Sequence, residues 1–137
     1  MKTTTGSFTT VVTVIAVLMV GEAVTFLFAA LLHLGIPLGL SEPRIIPAAI
    51  VEGLCGLFLT VSTYAVLAST TWAWESALAA NSFAVAGVLL GITALALGAG
   101  PSTGANTIYH RVILGVLIVV LILLATPGAR AALGRRT

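Results

Sequence analysis

The stretch VVTVIAVLMVGEAVTFLFAALLHLG, residues 11–35, carries a single formal charge, Glu22. A helix crosses ~30 Å of hydrocarbon with ~20 apolar residues, so this run is long enough to span a bilayer. The rest of the chain agrees. Only 7% of its 137 residues are charged and 59% are hydrophobic, whereas soluble domains carry about 25% charged residues. Such a surface suits lipid and not water. Backbone polar groups in lipid must be satisfied within the protein, and the short alternating segments of a barrel are absent, so the expected class is all-α.

On the N-terminal side of the opening stretch stands one lysine, Lys2, in the manner of a secretory leader. The apolar run is too long for a leader and has no small-residue cleavage pattern, so it is expected to remain as the first transmembrane helix. On the C-terminal side, HLGIPLGLSEPRIIPAAIVEGL (33–54) breaks the pattern. Pro37, Pro43 and Pro47 fall within it, and proline cannot continue a helix interior. Pro47 suits the first turn of a second helix.

Four spans follow: 8–35, 45–69, 72–99 and 108–127, with a basic tail over 128–137. Asn106 is the expected N-cap of the fourth. Trp72 and Trp74, in the tight STTWAW hairpin, read as interfacial anchors. Glu75 suits the positive end of the third helix dipole. The expected architecture is one integral-membrane four-helix bundle over 1–137, with short hairpin connections and both termini on one side. That side collects Lys2, Arg130, Arg135 and Arg136, against Arg44 and Arg111 on the other. The positive-inside rule then places the termini in the cytoplasm of a bacterial inner membrane, with 36–46 and 100–107 outside.

The third helix carries a seam of small residues: Ala77, Ala80, Ala84, Gly87, Gly91, Ala94 and Gly98. Their alternating spacing of three and four traces one helix face. Small residues let membrane helices approach closely, either within the chain or against a second copy or a larger complex.

Ionisable groups inside a membrane cost ~2.5–3.5 kcal/mol on insertion scales and therefore tend to face the bundle and to have a role. Glu22 lies roughly 21 Å along the helix from Phe8 and roughly 16 Å from His33, near mid-membrane. Glu22, Thr25, Ala29 and His33 share a face, and Glu52, Gly56, Thr60 and Thr63 form a comparable stripe on the second helix. With Asn106, His110, Arg44 and Arg111 at the outer ends, these predict a polar cavity open to the outside, with Glu22 at its floor. Structural alternatives exist for each. Glu52 could pair with Arg44 or Arg111, Glu42 with Arg44, and Asn81 could bridge helices. The two histidines could be interfacial side chains with wet tips. Glu22 has no Lys or Arg at its depth, so it is expected to be protonated, hydrogen-bonded, or paired with something bound.

Established catalytic signatures are missing: there is no HExxH, CxxC, P-loop, GxSxG or GxGxxG, and no aspartate at all. The lone Cys55 excludes a disulfide framework within the chain. No basic patch suits nucleic acid, and no cofactor or metal site is assigned. His33, His110 and a carboxylate are chemically suited to zinc or iron, but their spacing is not diagnostic. Three functions fit. The first is binding or transport of a small molecule or proton through the outward pocket. The second is an accessory or assembly subunit of a membrane complex. The third is a small enzyme on a lipophilic substrate, with Glu22 or Glu52 as acid/base and His33 or His110 assisting.

The motif GEAVTF, residues 21–26, together with four short helices, resembles the small multidrug resistance transporters, which carry a membrane glutamate in their first helix. The proline-rich outer loop, the histidines and the second glutamate depart from that family. The segments LHLGIPLG, EPRIIPAAIVEGL and NTIYHRVILG are similar to uncharacterised four-helix membrane proteins of GC-rich bacteria. That resemblance covers residues 20–134 and implies the topology without an activity.

Overall fold

The computed structural model describes residues 10–40, 42–101 and 103–134. Among these the chain forms four long helices and one short one: α1 (Thr10–His33), α2 (Ile46–Leu67), α3 (Ala73–Ala96), α4 (Gly104–Ala125) and α5 (Pro127–Leu133). There is no strand among the described residues. The four long helices are each long and apolar enough to cross a bilayer. The chain is an all-α, multi-pass membrane protein built as a four-helix bundle. Phe8, Lys2, Arg135 and Arg136 lie outside the described residues.

Three helices end in the same way. At the end of α1, the Gly35 amide donates to the Leu32 carbonyl at 2.8 Å and the Ile36 amide to Leu31 at 3.1 Å. Gly35 takes φ +90°. This paired pattern, with a left-handed residue just past the helix, is the Schellman motif. It recurs at Gly98 after α3 and at Ser69, a non-glycine with φ 51°, after α2. The Ile45 amide then donates to the His33 carbonyl at 2.9 Å. That bond returns the chain beside the end of α1, and Pro47 sits in the first turn of α2.

Two expectations at the C-terminal half are corrected. Asn106 does not cap α4. Thr103 does, its hydroxyl accepting from the Asn106 amide at 3.0 Å, and the helix starts at Gly104 instead of 108. Both residue types cap well; capping by the earlier one leaves Asn106 free to point inward. The span ends at Ala125 instead of 127, and a short helix, α5, opens the tail. Pro127, which lacks an N–H, breaks α4, and the Thr126 hydroxyl caps α5 by accepting from the Ala129 amide at 3.3 Å. The Leu124 carbonyl near the end of α4 accepts from Trp74 Nε1 at 3.0 Å. Arg130 lies 4.8 Å above the Trp74 ring, a cation–π contact.

Each helix packs beside its sequence neighbour, and α4 closes the ring on α1, more loosely than α1 packs on α2. Two apolar clusters fill the ring. One, at the end where the termini lie, joins Val12, Ile15, Met19, Val66, Val120 and Leu124 and is sealed by Ala129 and Leu133 of α5. The other, nearer the α1–α2 loop, joins Phe26, Cys55, Leu59, Ala84, Val88 and Leu117. Polar residues fall where one cluster gives way to the other. Glu22 lies between Met19 and Ala23, and Ser62 and Thr63 lie between Leu59 and Ala65. Asn81 sits beside Ala80. All four are buried. Outside, Val17, Ile50, Leu57, Leu90 and Ile122 are exposed, as a lipid-facing surface requires.

Candidate functional site

At the ends of the helices opposite the termini lies a cavity of about 170 Å³. α1 contributes His33, its last residue, and α2 contributes Glu52. α4 contributes Asn106 and His110, one turn apart, and Gly87, Gly91 and Ala94 of α3 complete the wall. Glu52 and His33 meet directly: Nδ1 lies 2.7 Å from Oε2 in the one ion pair among the described residues. The two residues are only 3% and 6% exposed. The length is that of a charge-assisted hydrogen bond, with the ring N–H donating to the carboxylate. His33 Nε2 is also buried and has no hydrogen-bond partner. One face of the ring pair is thus held by protein, and the other nitrogen is left vacant.

His110 is fixed differently. Its Nδ1 lies 2.8 Å from the Asn106 carbonyl. A carbonyl only accepts, so Nδ1 carries the hydrogen. Nε2 is turned toward α3, where a Cβ on Gly91 would come within 2.7 Å of it. Gly91 therefore makes the space that the imidazole fills. Gly87 does the same for α2, since its Cβ would lie 3.0 Å from Cys55 Sγ and 3.1 Å from Val51 Cγ1. The small-residue seam of α3 works inside the bundle here: Ala77, Ala80 and Ala84 are buried, Gly87, Gly91 and Ala94 are half-buried, and Gly98 is exposed.

The structure thus brings together four of the sequence-derived candidates, His33, Glu52, Asn106 and His110. It separates three. Arg44 and Arg111 are exposed and do not line the cavity. Glu52 pairs with neither of them, and Glu42 does not pair with Arg44: it accepts from the Thr103 hydroxyl at 2.9 and 3.1 Å, tying the α1–α2 and α3–α4 loops together. Glu22 is not the floor of this cavity. It lines a separate crevice between α1 and α4, and neither of its oxygens has a partner. The helix-two stripe also needs correction. Glu52, Gly56 and Thr63 face inward, but Thr60 is exposed and donates to the Gly56 carbonyl at 2.7 Å. Asn81 bridges no helices by hydrogen bond; its amide donates to Ala77 of its own helix at 2.9 Å.

Among the described residues no three His, Cys, Asp or Glu side chains converge as a metal-binding set. The polar residues that sequence reading passed over are Thr103, Ser62 and Tyr109. Tyr109 has a buried hydroxyl without a partner; an aromatic with a polar tip next to His110 was the available signal. No protein-family model, curated protein or solved structure matches the chain.

Proposed function

We propose that the protein moves a proton, or a small molecule that exchanges with one, across the membrane, and that the His33–Glu52 pair is the acid–base element. The observation that carries this reading is the buried 2.7 Å pair, with His33 Nε2 left without a partner, beside a cavity that His33, Glu52, Asn106 and His110 line among apolar residues. Imidazole is the side chain whose ordinary protonation change falls near neutral pH. A buried carboxylate and imidazole can pass a proton between them over a single hydrogen bond. Volume narrows the cargo. Drug-sized ligands occupy cavities of ≈ 300–1,000 Å³, so a space of about 170 Å³ suits a few waters or one small polar molecule. His110 and Asn106 stand on the facing helix to orient whatever enters.

The proposed orientation puts this cavity outside a bacterial inner membrane and the termini in the cytoplasm, on the distribution of Lys2, Arg130, Arg135 and Arg136 against Arg44 and Arg111. The packed cluster sealed by α5 then lies at the cytoplasmic end, which must open in turn for a proton to cross.

The test uses the full chain in liposomes with a trapped pH-sensitive dye, given an external acid step. Proton entry above that of empty liposomes is expected for the wild type, falling by at least about tenfold in Glu52→Gln, as loss of a positioned acid–base group typically costs 10²–10⁴-fold in proton transfer. Equal entry in the two proteins overturns the reading.

A further inference from the structure

We propose that the Tyr109 hydroxyl is the relay that takes a proton from Glu52 toward the membrane interior. The relay rests on the proposed function and extends it by one residue, which does not itself line the cavity. Tyr109 is half-buried as a residue, but its hydroxyl is fully buried. The tip of the side chain is therefore turned into the bundle. There the residue packs against the cluster that holds Phe26, Cys55 and Leu59. Its ring lies edge-on to Phe26, with the centroids 6.4 Å apart. Phe26 precedes His33 by seven residues, roughly 10 Å along α1, so the Tyr109 ring stands on the interior side of the His33–Glu52 pair.

The ionisable groups near enough to act electrostatically on this hydroxyl are Glu52 and Cys55, about one turn apart on α2. Neither is hydrogen-bonded to it, and the oxygen has no other partner. Buried polar groups are nearly always paired, and each exception calls for an explanation. Tyr109→Phe would keep the same ring without an unpaired oxygen, so packing alone does not account for the hydroxyl. Cys55 is less suited to the role. Its Sγ is turned to α3, where a Cβ on Gly87 would lie 3.0 Å from it, and a thiol is a weak donor and a weak acceptor.

A phenol both donates and accepts, which is what a relay needs. Once His33 has passed its proton to Glu52, the carboxyl carries an O–H. A side-chain rotation brings that O–H to the Tyr109 oxygen. The carboxyl proton then moves to the tyrosine as the tyrosine's own proton leaves for a water on the core side, admitted when the opposite end of the bundle opens. One O–H bond forms at the phenol and one breaks, so Tyr109 stays neutral. Glu52 returns to the carboxylate, the water leaves as hydronium, and rotation of the new hydroxyl hydrogen resets the relay. In the resting arrangement the missing Glu52–Tyr109 bond is a break in the path, and it keeps the two sides of the membrane from being joined.

The test measures proton entry into dye-loaded liposomes for the full-length wild type, Tyr109→Phe, Cys55→Ala and Glu52→Gln. Entry should fall at least about tenfold in Tyr109→Phe, the lower part of the range for loss of a positioned proton-transfer group, and stay near wild type in Cys55→Ala. Because Tyr109→Phe removes an unpaired buried hydroxyl, its unfolding midpoint in detergent should equal or exceed that of the wild type. The His33 Nδ1 resonance should keep its wild-type position. Wild-type entry in Tyr109→Phe, with entry lost in Glu52→Gln, overturns the relay and leaves the proposed function standing. Entry that is no greater than in empty liposomes, or that Glu52→Gln leaves unchanged, overturns both. Loss of entry together with a lowered midpoint or a displaced His33 resonance assigns Tyr109 to holding the pair in place and also overturns the relay.

Discussion

At the scale of single residues, the His33–Glu52 pair carries most of the consequence. Taking one partner away leaves the other buried and unpaired, which typically costs about 3–5 kcal/mol. His33→Leu should therefore lower stability in detergent by that order, while His33→Leu combined with Glu52→Leu should recover most of the loss. Proton entry should be absent from both. Recovery of stability without recovery of proton entry separates a functional pair from a structural one. Gly91 is a second residue with a sharp expectation. Gly91→Ala pushes a Cβ to 2.7 Å from His110 Nε2, while Nδ1 is held on the Asn106 carbonyl. The ring must shift, so the His110 nitrogen resonances should move and the midpoint of unfolding should fall, with overpacking costing about 1–3 kcal/mol. Much of this was legible beforehand. His33, Glu52, Asn106 and His110 are polar residues near one end of three helices, and burying them demands that they meet. Glu22 was legible only as a depth. Which neighbour it faces depends on how α1 is rotated against α4, and a one-dimensional pattern does not contain that angle.

At the scale of elements, the helix spans were readable because apolar length and proline breaks are properties of a single segment. The errors lie where two signals of equal rank compete. Thr103 and Asn106 are both good caps three residues apart, and Thr103, which caps, also donates its hydroxyl to the Glu42 carboxylate. Thr103→Ala removes the cap and the loop tie together and should cost about 1 kcal/mol or more of stability, with Thr103→Ser close to wild type. Thr60 shows a related limit. It has the spacing of an inward stripe, yet it is exposed, and its hydroxyl is satisfied by the Gly56 carbonyl of its own helix. Gly56 sets the approach of α1 and α2: a Cβ would sit 2.8 Å from Leu27 Cγ and 3.1 Å from its backbone nitrogen. Gly56→Ala should thus destabilise by about 1–3 kcal/mol. Leu27→Ala in the same chain should restore only part of the loss, because the backbone contact remains.

At the scale of the whole molecule, the two ends of the bundle are unlike. One is closed by α5 and the cluster around Leu124 and Leu133, with Arg130 on Trp74 at its rim; the other holds the cavity that His33, Glu52, Asn106 and His110 line among apolar residues, under proline-shaped loops. That asymmetry, together with the basic residues near the termini, predicts sidedness. A C-terminal alkaline phosphatase fusion should be inactive, and a C-terminal green fluorescent protein fusion bright. Ala48→Cys in a Cys55→Ala background should react with a membrane-impermeant maleimide from the side opposite the termini, since Ala48 lines the cavity at that end. An active phosphatase fusion reverses the orientation. In the proposed function, the buried His33–Glu52 pair exchanges a proton with the outer water. The direct measurement is the nitrogen spectrum of 15N-histidine-labelled full-length protein in nanodiscs, between pH 4 and 10. The prediction is that the His33 ring nitrogens titrate within this window and that Glu52→Gln changes their titration; signals that stay fixed across the window, or that titrate identically in the two proteins, contradict it.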